Sequence, residues 1–151
     1  MISDTESVGS RTELSTPKEP EVYTEEEQKK AEECKAQGNN FFKQNKFQQA
    51  IDMYTEAIFC KVSPKQKAVY YCNRAQTHLK MENYGLCVFD GCEAIKLDAV
   101  NVKGYFRRGH GYAMQHQLKN ACSDFKQVCK MEPNNKEARE KYEHTLKEYR
   151  L

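Results

Sequence analysis

Apolar positions in this chain of 151 residues recur on a helical period, and the helical pattern is itself repeated. From Glu25 onward three segments line up. They read AEECKAQGNNFFKQNKFQQAIDMYTEAI, AVYYCNRAQTHLKMENYGLCVFDGCEAI and VKGYFRRGHGYAMQHQLKNACSDFKQVCKMEP. Ala94 matches Val128 at a spacing of 34 residues, and Ala57 precedes Ala94 by 37, so the linker FCKVSPKQK carries three extra residues. Each segment predicts two helices around a tight turn, at Asn45-Lys46, Asn83 and Gln117. Gly38, Ala75 and Gly109 share a small-residue register in the first helix of each pair. A mid-helix Gly costs ~1 kcal/mol against Ala, so a neighbouring helix is expected to come close there. Phe41, His78 and Tyr112 share a filling register; Ala50, Cys87 and Ala121 share a small one in the second helix. Tyr54 and Phe125 are large where the middle segment has Gly91. Pro133 marks a stop after the third unit, where the second unit has Ala99. The tail PNNKEAREKYEHTLKEYRL predicts a seventh helix, capped by Asn134 or Asn135, with Ala138, Tyr142, Leu146 and Tyr149 on one stripe.

These elements predict an all-α chain of three helix-turn-helix repeats, at about 31–65, 68–101 and 102–135, with a capping helix at about 135–150 and no sheet. Three units plus a cap is about the minimum that buries a continuous core. Residues 1–24 are rich in Ser, Thr, Glu and Pro and are expected to be disordered. Ser15-Thr16-Pro17 fits a phosphorylation site, but patterns this short arise easily by chance. No run approaches a membrane span and the start has no signal-peptide pattern. The seven cysteines match no zinc spacing, so they read as reduced, small apolar packing residues of a cytoplasmic protein, with the nucleus as a second location. Residues 1–27 hold eight acids and two bases; residues 28–151 hold 22 bases and 14 acids, a net of +8. The repeats therefore favour an acidic partner.

Five polar residues give that preference a place. Lys35 and Asn39 lie in KAQGN, Asn73 in YYCNRA, and Lys103 and Arg107 in VKGYFRR. A spacing of four puts both members of each pair on one helix face, and two like charges there cost an isolated helix roughly 0.2–0.5 kcal/mol. Such placement suits a receptor for an anion. The scattered histidines form no metal pair, and there is no GxSxG, P-loop or dinucleotide motif, so no catalytic residue, metal or cofactor is expected. Lys, Arg and Tyr interleave in VKGYFRR, yet no base-reading pattern recurs in every repeat, so nucleic acid is not an expected partner.

Over about residues 28–150 the chain resembles the tetratricopeptide-repeat (TPR) family, and within it the carboxylate-clamp group. The resemblance implies a right-handed superhelix with a concave groove. It also implies that Lys35, Asn39, Asn73, Lys103 and Arg107 bind the free C-terminal carboxylates of Glu-Glu-Val-Asp tails on cytosolic heat-shock chaperones. Both the ninety- and seventy-kilodalton classes are candidate partners of a monomeric adaptor. KMENYGL and VKGYFRRG look closest to the N-terminal TPR domain of the protein phosphatase 5 class, which makes a regulatory domain of a larger enzyme one alternative; a scaffold that grips a folded partner through its convex face is another. By family position Phe42 and Gln76 are expected to line the groove.

Overall fold

The structure, a computed structural model, describes residues 21–151. Most of the segment expected to be a disordered tail therefore lies outside the described residues. Seven helices follow in order: α1 (Glu25–Lys43), α2 (Phe47–Phe59), α3 (Pro64–Lys80), α4 (Tyr84–Leu97), α5 (Val102–Met114), α6 (Leu118–Met131) and α7 (Lys136–Arg150). None of them is long and apolar enough to cross a membrane.

The helix starts fall into two kinds. The first helix of each pair, and α7, are capped by side chains. Thr24, Ser63, Asn101 and Asn135 accept from the backbone N–H three residues on, at 2.9–3.2 Å. Helices α2, α4 and α6 have no side-chain cap. They follow turns in which Asn45, Glu82 and His116 take φ near +60°. In each turn the next N–H bonds five residues back, as from Lys46 to the Phe41 carbonyl at 2.9 Å. This is the left-handed helix stop, repeated three times without a glycine.

Helix α1 begins at Glu25, where the helical pattern of the sequence begins, six residues ahead of the first repeat unit at about 31. Helix α3 begins at Pro64, a residue preorganised for a first helical position. The long first linker thus becomes an extra turn of α3, and only residues 60–63 remain as loop.

Each repeat packs its two helices together, and α2 packs on α3, α4 on α5 and α6 on α7. Helix α3 also packs on α5, whereas no two of α2, α4 and α6 meet to that extent. The stack therefore curves with α1, α3 and α5 on its inner side. A Cβ on Gly38 would stand 2.6 Å from the Tyr54 ring, and one on Gly109 would stand 2.9 Å from Phe125. The close neighbour expected at this register is thus the second helix of the same repeat. At Gly91 the missing side chain admits Arg108 instead, whose Cβ would be 2.7 Å away. The middle repeat trades its large residue for close contact between α4 and α5.

Two buried ion pairs knit the later repeats. Arg74 Nε and Nη2 donate to Asp90 at 2.8 Å each, and Arg108 donates likewise to Asp124 at 2.9 and 2.7 Å. Arg74 Nη1 also donates to Thr55 Oγ1 of α2 at 3.1 Å, tying repeat one to repeat two. Five of the seven free thiols, Cys34, Cys60, Cys72, Cys87 and Cys122, are buried. On α7 the expected stripe needs correction. Ala138 is buried and Tyr142 and Leu146 are half-buried, but Tyr149 is exposed. Buried Thr145 stands in the contact row, its hydroxyl satisfied by the Lys141 carbonyl at 2.7 Å.

Candidate carboxylate-binding groove

The five expected residues sit on consecutive inner helices, Lys35 and Asn39 on α1, Asn73 on α3, Lys103 and Arg107 on α5. Lys35, Asn39, Asn73 and Arg107 are half-buried and Lys103 is exposed. Asn73 directly follows Cys72, and both Lys103 and Arg107 act electrostatically on the Cys72 thiol. The two cations of α5 are thus brought against the Asn73 segment of α3. Lys35 is tied to α3 indirectly. Its Nζ meets Glu32 at 2.6 Å, and Glu32 accepts from Tyr70 Oη at 2.8 Å and Gln66 Nε2 at 3.1 Å. An exposed pair of this kind contributes ~0–1 kcal/mol, so an incoming carboxylate can compete for Lys35.

The arginines of the inner helices differ sharply. Arg74 and Arg108 each have a dedicated aspartate, and the hydrogen bonds raise both above the ordinary arginine value. Arg107 is half-buried too, yet it has no hydrogen bond or ion pair to any carboxylate among the described residues. Its guanidinium lies 5.9 Å from the centre of the Phe106 ring. Burial lowers its pKa, opposed weakly by Cys72, Cys87 and Glu137. A desolvated cation without a counter-ion is costly unless something binds it. Lys103 likewise has no ion pair among the described residues.

Asn39 is held from behind, for its Oδ1 accepts from Tyr54 Oη at 2.6 Å. Asn73 has no side-chain hydrogen bond among the described residues. Gln76 is half-buried, and so is Phe42, whose ring meets Phe47 edge-on at 5.5 Å. A cavity of about 750 Å³ is lined by none of the five. It lies between α5, α7 and the α3–α4 turn, among Leu79, Met114, Phe125 and Thr145. Glu137, which lines it, also acts on Arg107.

Two residues near this site escaped the sequence reading. Tyr54 reads as a core aromatic, and only its partner reveals the hydroxyl's task. His110 shares the register of Asn39 and Gln76, which was the available signal. Its ring packs on Phe106 and Phe125, and burial, with Lys141 and Arg107 nearby, pushes its pKa down to about 4.

No protein-family profile matches the chain. Rat serine/threonine-protein phosphatase 5 is 37% identical over 139 residues, covering 92% of this chain and 27% of the relative. Serine/threonine-protein phosphatase T of Aspergillus oryzae is 39% identical over 107 residues, covering 71% and 22%. The chain thus spans about a quarter of the length of these curated relatives. Among solved structures, the first TPR of Spaghetti (RPAP3), bound to the HSP90 peptide SRMEEVD, superposes with a TM-score of 0.77 at 30% identity, covering 82% of this chain and 95% of that one. The second TPR domain of human RPAP3, in complex with the HSP70 peptide SGPTIEEVD, gives 0.72 at 32% identity, covering 79% and 97%. With seven helices in three repeats and a cap among its described residues, and with these relatives, the chain belongs to the tetratricopeptide-repeat family, as a domain of the type carried by serine/threonine-protein phosphatase 5.

Proposed function

We propose that this domain is a chaperone-binding adaptor that captures the free, acidic C-terminus of a heat-shock chaperone of the ninety- or seventy-kilodalton class. The observation that carries this reading is Arg107, half-buried and without a carboxylate partner among the described residues, on the same helix as Lys103, which has no ion pair among them either. Arg107 is built to receive a carboxylate bidentately, as its neighbours Arg74 and Arg108 already do from within the fold. Asn39 and Asn73 add amide donors without adding charge. Two relatives of known structure hold peptides ending in Glu-Glu-Val-Asp, which supports this ligand class.

The domain performs no chemistry in this reading and acts as a cytoplasmic tether. A second reading, favoured by 37% identity to a phosphatase over this stretch alone, makes it the regulatory part of a longer phosphatase. The two readings are compatible.

The test is calorimetric titration with an acidic C-terminal peptide such as SRMEEVD. Binding is expected, and C-terminal amidation is expected to abolish it. Lys103→Ala or Arg107→Ala is expected to cost about 2 kcal/mol or more of affinity, with helicity unchanged. Wild-type affinity in the double variant would overturn the reading. Oligonucleotide binding with a steep salt slope would point to nucleic acid instead.

A further inference from the structure

The structure assigns Tyr54 as a positioning residue that fixes the Asn39 amide so that only its N–H donors face the groove; this rests on the carboxylate-binding reading above. A free asparagine side chain presents an oxygen and an NH₂ group of nearly the same size. Flipping it about its last bond exchanges an attractive contact with a carboxylate for a repulsive one. In the fold Asn39 takes one of these two orientations. Tyr54 Oη donates to Asn39 Oδ1 at 2.6 Å, the short end of such bonds. A phenol that donates here occupies the acceptor atom and leaves Nδ2 for a ligand.

The donor is itself held firmly. Tyr54 is 2% exposed, on α2, and its ring fills the space beside Gly38, where a Cβ would stand 2.6 Å from it. Gly38 immediately precedes Asn39 on α1. The missing side chain at Gly38 and the aromatic ring of Tyr54 are therefore two halves of one arrangement. Burial pushes the phenol up to about 12, so it remains a donor throughout the physiological range.

The other repeats lack the device. The residues in the register of Asn39 are Gln76 and His110, and those in the register of Tyr54 are Gly91 and Phe125. Neither Gly91 nor Phe125 has a hydroxyl to donate. Phe125 meets His110 ring to ring at 5.6 Å. Only the first repeat converts an amide of ambiguous polarity into a donor-only surface.

A double-mutant cycle separates this role from a packing role, using Tyr54→Phe, Asn39→Ala and both together, with SRMEEVD as the probe. Phenylalanine keeps the ring beside Gly38 and removes only the hydroxyl. Tyr54→Phe is expected to weaken peptide binding about threefold to tenfold, the worth of one hydrogen bond. The same change in the Asn39→Ala background is expected to alter affinity less than about twofold, because the hydroxyl acts only through the amide. Wild-type affinity for Tyr54→Phe overturns the inference, as does an equal loss in both backgrounds. Arg107→Ala is the control. If it weakens binding and Tyr54→Phe does not, only the positioning role fails. If Arg107→Ala also binds like wild type, the carboxylate-binding reading itself fails.

Discussion

His110 carries two buried ring nitrogens that have no hydrogen-bond partner among the described residues. Phe106 of its own helix and Phe125 of α6 flank the ring, and the cations that act on it are Lys141 of α7 and Arg107 of α5. A pKa of about 4 in the fold, against an ordinary value of 6.5, means the unfolded chain binds the proton first as pH falls. Stability is therefore expected to be full above about pH 6.5 and to decline as pH falls to about 4. A gap of that size is worth about 3 kcal/mol. His78, lowered by burial, acts in the same direction. Urea titrations at pH 7 and pH 4.5 should show His110→Phe losing clearly less than the wild type. Parallel losses would show that His110 is not the group responsible. At this scale the sequence was partly legible. Lys35, Asn39, Asn73, Lys103 and Arg107 stand out because charge and amides on helix faces leave a one-dimensional trace. Tyr54 and His110 do not, because their roles depend on a partner across the helix pair.

Helix α5 carries two of the three candidate groove cations, Lys103 and Arg107, and is the poorest helix former of the set. Gly104, Gly109 and Gly111 are buried within its 13 residues, and each costs an isolated helix about 1 kcal/mol. Packing must hold it, from α4 at Gly91 on one side and from α6 on the other. The Arg108–Asp124 fork is part of that grip. Asp124→Ala strands a guanidinium whose side chain is only 22% exposed, and is expected to cost about 3 kcal/mol by chemical denaturation. Arg108→Met with Asp124→Leu should recover most of the loss, since apolar replacements remove both charges together. A double variant as unstable as the single one would show that the pair contributes specific geometry rather than mutual neutralisation. These helices were readable from their period and turn residues. The Arg–Asp forks were not, because sixteen residues and a turn separate the partners. Gly91 read as an irregularity until Arg108 filled its place.

Across the whole molecule, the repeat spacing identified the architecture, and the three extra residues found their place by lengthening α3 rather than swelling a loop. The sequence misplaced detail at the C-terminal end of the stack, where Tyr149 leaves the α7 contact row. Patterns repeated three times average out local exceptions, and the ends have no such averaging. The buried thiols give this stack a repeat-by-repeat clock. Cys34 and Cys60 belong to the first repeat, Cys72 and Cys87 to the second and Cys122 to the third, and burial raises all five, the middle two to about 12. A thiol reacts as its thiolate, so each is silent until its surroundings open. Pulsed alkylation read by mass spectrometry should mark Cys72 and Cys87 last, because neighbours on both sides guard the middle of a stack. Earlier marking of Cys72 than of Cys122 would reverse that order. The order of marking therefore tells whether the stack unzips from its ends or lets go all at once.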